Sequence, residues 1–272
     1  MKYFLLFSAA VFLLSAISAF DKKLRIRRFT IKSRKLSDIP IKIMVISDMH
    51  MRADRQILTA VKSEKPDIIA LCGDVLDERQ STDKKYEKMI GLLRELKACA
   101  PIYSVCGNHD LRADCCEKYM SDIEKIGIVT LENRAEYYIK NGVSFCISGI
   151  ADPMTHSRDK SFSVDDSIFI GSDGDYKLML YHRATFSDKI AATFKPDLLL
   201  TGHVHGGQWR IPFWRGILSP ERSFFPKYEG GMYRENETHI AVCRGSGSAP
   251  FLPRIFNPPE VMLLTLEKEN TK

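Results

Sequence analysis

The stretch Ile41-Lys42-Ile43-Met44-Val45-Ile46-Ser47-Asp48-Met49-His50 runs from a near-solid apolar segment straight into a carboxylate and an imidazole. A strand that is apolar at successive positions is buried on both faces, as in a parallel sheet covered on each side. The same cadence recurs along the chain. Residues 68–71 lead to Gly73-Asp74, and 102–106 lead to Gly107-Asn108-His109-Asp110. Residues 177–181 lead to His182, and 198–201 lead to Gly202-His203-Val204-His205. Helical spacing fills 54–64, closed by Pro66, and also 84–97, 114–125 and 187–194. Strand–helix alternation implies a largely parallel sheet with helices on its faces.

The pattern changes near residue 135. Segments 136–140 and 143–147 flank Asn141-Gly142, a strong hairpin signal. Residues 152–174 read as a polar surface loop, and 206–237 carry glycine, proline and aromatics without clean periodicity. Strands at 239–243 and 261–266 complete a second, mixed sheet. The expected fold class is α/β: two packed mixed β-sheets flanked by helices, in one domain over residues 40–272. A chain of 272 residues, 44% hydrophobic, is long enough for such a core.

Residues 3–20 are almost unbroken apolar sequence behind the single charge of Lys2. Two readings stand: a cleaved signal ending at Ala19, or a retained anchor at the short end of spanning length. Five basic residues follow within nine positions, which favours the anchor with its following side in the cytoplasm. The expectation is membrane association with a cytoplasmic-facing catalytic domain; export is the alternative. The formal net charge of +6 is concentrated in residues 21–35, where eight basic side chains oppose Asp21. Residues 21–39 thus read as a juxtamembrane segment suited to phospholipid headgroups, or as a first, solvent-edged strand. No basic aromatic stripe suggests a nucleic-acid channel. Seven cysteines, an odd count with no C-x-x-C pair, make no disulfide framework.

The polar residues at the strand ends make sense together as metal ligands. Carboxylate, imidazole and carboxamide without thiolate suit Mn, Fe or Zn. Asp48-x-His50 and His203-x-His205 place both groups on one side if the backbone is extended. Asp74 is the natural bridge between two ions. Ions about 4 Å apart can polarise a phosphoryl group and acidify water.

In these five blocks, Asp48-Met49-His50, Gly73-Asp74, Gly107-Asn108-His109-Asp110, His182 and Gly202-His203-Val204-His205, the chain resembles the calcineurin-like metallophosphoesterases. The resemblance covers residues 40–268 and implies that family's fold. It implies two divalent cations, manganese first with iron or zinc as alternatives. Asp48, His50, Asp74 and His205 would hold one ion, and Asp74, Asn108, His182 and His203 the other. His109 would be catalytic, stabilising phosphoryl oxygens and protonating the leaving group, with Asp77 as its orienting partner or else a helix cap. Residues 201–208 with Arg210-Ile211-Pro212, 228–233, 244–247 and 258–260 resemble a membrane-associated phosphodiesterase branch, some of whose members are exported or wall-associated while others resemble UDP-2,3-diacylglucosamine hydrolases. The chain departs from the family at His182-Arg183-Ala184-Thr185, where His-x-Pro-Asp is common.

Arg183, Arg210 and Arg244 are candidate phosphate contacts, because guanidinium can grip phosphate with two bonds. Trp209, Phe213, Trp214, Phe224, Phe225 and Pro226 either cover the core or border an acyl groove. The expected activity is hydrolysis of a phosphodiester or pyrophosphate bond in a lipid-linked or nucleotide-sugar-lipid substrate, by a monomeric catalytic unit. A protein or small-molecule phosphomonoesterase and a noncatalytic metal-stabilised binding protein are the alternatives.

Overall fold

The computed structural model describes residues 19–153, 171–212, 214–220, 223–247 and 253–269. From the amino-terminal side the elements are β1 (Arg25–Ser33), β2 (Ile41–Ile46), α1 (Arg55–Glu64), β3 (Ile68–Cys72) and α2 (Asp83–Lys97). Then come β4 (Ile102–Val105), α3 (Asn108–Arg112), α4 (Cys116–Ile126), β5 (Val129–Thr130), β6 (Arg134–Lys140) and β7 (Val143–Ile150). The chain ends with β8 (Tyr176–Arg183), α5 (Ser187–Phe194), β9 (Leu198–Gly202), β10 (Gly231–Glu235), β11 (Thr238–Val242) and β12 (Glu260–Lys268).

Two six-stranded mixed sheets result, ordered β1-β12-β2-β3-β4-β5 and β10-β11-β9-β8-β7-β6. In the first, β2, β3, β4 and β5 run parallel, with Val45 beside Ala70 and Leu71 beside Ser104. In the second, β7, β8, β9 and β11 run parallel. The doubly apolar reading of the 41–46 segment is explained by what each face meets. Ile41, Ile43 and Val45 pack into the layer between the sheets with Phe145, Leu178 and Leu200. Met44 and Ile46 point the other way, onto α1 and α2 through Ile57, Val61, Met89 and Leu93. A third cluster seats α5 on the outer face of the second sheet through Ile190 and Phe194 against Met179 and Leu199. The layers are therefore helices, sheet, sheet and helix.

Local chemistry sets the boundaries. Asp54 accepts the Gln56 amide at 2.9 Å to start α1, and Lys65 turns left-handed to end it before Pro66. Asn141 (φ 50°) and Gly142 (φ 76°) make the hairpin turn between β6 and β7. The first-strand reading of the basic segment is realised as β1, which pairs in parallel with β12. Several of its cations have acidic partners: Arg28 meets Glu64 at 2.5 Å and Arg27 meets Glu260 at 3.7 Å. Two elements were not expected: the short α3 that begins on Asn108, and β10 inside the stretch without periodicity. All seven cysteines are free thiols.

Most of the 3–20 run, residues 154–170 of the expected surface loop, and Phe213 lie outside the described residues. Among the described residues no helix is long and apolar enough to cross a membrane.

Candidate metal centre

The ligand-type side chains sit where parallel strands end. β2, β3 and β4 deliver Asp48, Asp74 and Asn108 from the first sheet, and β8 and β9 deliver His182 and His203 from the second. That edge is where open α/β sheets bind ligands. The expectation that Asp48 and His50 share a face of an extended segment is corrected. Asp48 (φ 50°) and His50 (φ 46°) are both left-handed, as are Asp74 (φ 54°), His203 (φ 72°) and His205 (φ 48°). Each such residue costs roughly 1–3 kcal/mol, sustained by the packing around it. Left-handed residues turn the backbone just after β2, β3 and β9, and this rather than strand pleating brings their side chains together. Gly73 (φ 82°) allows one close approach, since a Cβ there would stand 2.6 Å from His182 Nδ1.

Two buried donor sets form, beside a third group of His50, Asp77 and His109 whose last member is partly exposed. In one, His50 Nε2 lies 3.1 Å from His205 Nε2, which lies 3.7 Å from Asp48 Oδ1. In the other, His203 Nδ1 lies 3.1 Å from His182 Nε2, which lies 3.2 Å from Asp74 Oδ2. Asp74 Oδ2 is also 3.9 Å from His50 Nε2, so one carboxylate oxygen stands between the sets. Each set has donors close enough to share a cation. All seven candidate ligands, Asn108 included, are buried. Among the described residues Asn108 Oδ1 has no hydrogen-bond partner, and Asp74 Oδ2 meets only the His182 and His50 rings. A buried acceptor left without a partner costs roughly 1–3 kcal/mol. Cations would satisfy both oxygens, and this donor chemistry fits divalent metals.

Neighbouring groups hold the rings in the tautomers such ions require. His182 Nδ1 donates to the Cys72 carbonyl at 2.8 Å, leaving Nε2 for the second set. His50 Nδ1 lies 3.2 Å from Asp77 Oδ2, leaving Nε2 for the first. Burial opposes charge on His50, but the carboxylates of Asp77, Asp74 and Asp48 outweigh it and raise its pKa. Burial, then the His50 ring and Arg254, push His205 well below the usual imidazole value. Asp110 clamps two loops at once: Oδ2 accepts the Asp74 amide at 2.7 Å and the Gly107 amide at 2.8 Å, and Oδ1 accepts the Leu76 amide at 2.6 Å. Burial and the nearby Asp74 charge push its carboxyl up to about 7.

His109 lies at the rim, partly exposed, its ring edge-on to His50 at 4.9 Å between centroids. The expected partnership with Asp77 is corrected. His109 Nδ1 is 2.6 Å from Glu78 Oε2, while Asp77 is turned to His50. The Arg79 amide at 2.9 Å and Gln80 Nε2 at 3.1 Å fix the Asp77 carboxylate in that direction.

Arg183 as a phosphate contact is also corrected, because it is buried and grips Asp152 with two bonds of 2.6 and 2.9 Å. Arg210 spans the Gly206 carbonyl at 2.8 Å and Glu229 at 3.2 Å, and Arg244 lies 3.6 Å from Glu260. Two residues had no signal in the sequence reading. Arg254, buried, reaches His205 Nδ1 at 3.3 Å, and Asn257 Nδ2 donates to the His205 carbonyl at 2.6 Å. Neither belongs to a motif, and each meets the site only through the fold.

The calcineurin-like phosphoesterase family profile matches residues 41–207, more than half of the chain. The metallophosphoesterase YkuE of Bacillus subtilis is 28% identical over 236 residues, covering 84% of this chain and 80% of that protein. The phosphodiesterase YaeI of Escherichia coli is 26% identical over 235 residues, covering 84% and 82%. In fold, the NAD nucleotidase NadN of Haemophilus influenzae is similar with a TM-score of 0.52 at 13% identity, over 77% of this chain and 45% of that one. A family match of this extent makes the chain a member of the calcineurin-like phosphoesterases, metal-dependent hydrolases of phosphoric esters.

Proposed function

We propose that the chain is a dinuclear-metal phosphodiesterase or pyrophosphatase acting on a lipid-linked or nucleotide-sugar-lipid substrate at a membrane. The observation that carries the chemistry is Asp74 Oδ2, buried between two histidine-bearing donor sets, 3.2 Å from the His182 ring and 3.9 Å from the His50 ring. A relative named as a phosphodiesterase supports the diester preference. The apolar 3–20 run supports the lipid setting.

Asp48, His50, Asp74 and His205 would hold one divalent cation, and Asp74, Asn108, His182 and His203 the other, with manganese the first choice. Bound there, such ions supply Lewis acidity toward a phosphoryl oxygen and acidify water. The protein's own part is then positioning and proton transfer. Asp110 fixes the two loops that carry Asp74 and Asn108. His109, held through Nδ1 by Glu78, presents Nε2 to the substrate. As water attacks phosphorus and the bond to the leaving oxygen breaks, Nε2 gives that oxygen its proton.

The test is purified protein with Mn²⁺ against a bis-aryl phosphodiester, an aryl phosphomonoester, a phosphopeptide panel and UDP-diacylglucosamine. Turnover of the diesters above the monoesters is expected. Activity on the monoester or phosphopeptides alone would replace the assignment with a phosphomonoesterase, and retained metal with no turnover would favour a binding protein.

A further inference from the structure

Eight large hydrophobic side chains are exposed among the described residues, and five of them belong to two places in the chain. Ile211, Trp214, Phe224 and Phe225 lie in the 209–225 loop, and Phe20 lies where the described chain begins. These two places are joined by a short backbone path. The Ala19 carbonyl accepts the Phe256 amide at 2.8 Å. Its neighbour Ile255 bridges Trp209, and its carbonyl accepts the Arg210 amide at 2.9 Å. The loop then leaves from Arg210. Ahead of Ala19 stand eighteen residues with one charge, Lys2, in an otherwise mostly apolar sequence. Behind Phe20 come Lys22 and Lys23, both exposed.

The loop is built to show its aromatics rather than to bury them. Arg215 donates to the carbonyls of Phe225 and Pro226, each at 3.0 Å, and its guanidinium lies 5.5 Å from the Phe225 ring. Phe225 packs against Trp214 with ring centroids 5.8 Å apart, and its amide donates to Ile217 at 2.8 Å. Trp214 nevertheless stays 62% exposed and Phe224 71% exposed, values at which neither ring is core. A group of exposed aromatic and aliphatic side chains on one loop signals an interaction surface. Tryptophan with adjacent cations suits the boundary between headgroups and acyl chains.

The loop also grows directly from the turn at His205–Gly207 that carries a candidate ligand. A cleft of about 200 Å³ lined by Val204, Ser223, Pro226 and Tyr228 adjoins both the loop and that turn. We propose that Trp214, Phe224, Phe225 and Ile211 form a membrane-docking edge that enters the headgroup boundary of an anionic phospholipid bilayer, with Lys22 and Lys23 beside the lipid phosphates. The occupant is a bilayer rather than another protein, because the apolar amino-terminal run ends against the base of this same loop. The inference rests on the membrane part of the function proposed above and is independent of the hydrolytic chemistry.

The test is tryptophan fluorescence of the full chain reconstituted in phosphatidylglycerol-containing vesicles, with acyl chains either plain or brominated. The Trp209→Phe protein makes Trp214 the only tryptophan. If that substitution impairs folding, the difference between wild type and Trp214→Phe gives the same signal. Trp214 emission is expected to shift to shorter wavelength, to lose intensity in brominated vesicles, and to be shielded from acrylamide. A vesicle-bound chain whose Trp214 is quenched by acrylamide and not by bromine would overturn the proposal, leaving the amino-terminal run as the sole contact. A chain that does not float with vesicles would overturn it as well. Hydrolysis of a soluble bis-aryl diester by the same preparation reports separately on the reading of the site.

Discussion

His109 Nδ1 and Glu78 Oε2 are 2.6 Å apart, and the neighbouring Asp77 carboxylate faces His50 instead. Two consecutive acids after β3 thus serve two different histidines. One ring belongs to the first donor set and the other stands at the rim where substrate would arrive, so the acids can be told apart by experiment.

Glu78→Gln keeps a hydrogen-bonding side chain of the same length but removes the charge that orients His109. General-acid assistance contributes about 10²–10⁴-fold, so Glu78→Gln should lose a part of that, mainly with diesters whose leaving groups are poor. Asp77→Asn should instead weaken metal binding by roughly 10–100-fold, the usual effect of an altered outer partner of a ligating histidine. Turnover at saturating Mn²⁺ and metal titration separate the two. The assignment fails if Asp77→Asn lowers turnover at saturating metal while Glu78→Gln is silent.

Asp74 Oδ2 lies between the sets, whereas Asn108 is proposed to serve only the second. Asn108→Ala should therefore lower bound metal from two ions to one, and Asp74→Asn should reduce both. Metal analysis after gel filtration reads the difference directly. Chelation should abolish hydrolysis and Mn²⁺ should restore it. Equal metal content in the two variants would remove Asp74 from the bridging position.

The fold and the donor set were largely legible because strand burial and ligand chemistry both mark the residue types used. Solid apolar segments such as Ile41–Ile46 are buried on two faces, and the acids and histidines follow them immediately. What the sequence hid was pairing across distance. Whether Asp77 or Glu78 reaches His109 is decided by the turn that the Arg79 amide and Gln80 impose on Asp77. A cation beside a ligand, Arg183, reads as a phosphate clamp until Asp152, 31 positions earlier, is found against it. The 206–237 stretch lacks periodicity because side-chain bonds to backbone, such as Asn257 to His205 and Gln208, hold much of its turn.

Metal uptake should release protons. Burial works against a charged His182, but the Asp74 carboxylate outweighs it and holds the imidazole's pKa at about 10 in the metal-free chain. Because this folded value lies above the ordinary 6.5, the bound proton stabilises the metal-free fold fully below 6.5, and that stability is lost as pH rises through about 10. A cation on Nε2 has to displace the same proton, so metal affinity should rise with pH across this window. Calorimetric Mn²⁺ titrations near pH 8 in two buffers of different ionisation enthalpy should give different heats. Identical heats would mean that His182 already lacks the proton.

Arg183 and Asp152 offer the clearest contrast between structural and substrate-binding roles. Arg183 directly follows His182 on β8, and Asp152 follows β7, so their two bonds tie together the strand ends beside the second donor set. Removing one member of a buried ion pair costs about 3–5 kcal/mol. Arg183→Ala should therefore lower the urea midpoint of the metal-loaded protein sharply and loosen metal at the His182 set. Replacing both residues by apolar ones of similar volume should recover much of the stability, because a well-packed apolar substitute for a buried ion pair is often neutral or better. A phosphate clamp would behave otherwise, raising KM for the diester while leaving the urea midpoint in place. Denaturation curves and KM measured on the two single variants and the double variant decide between these outcomes.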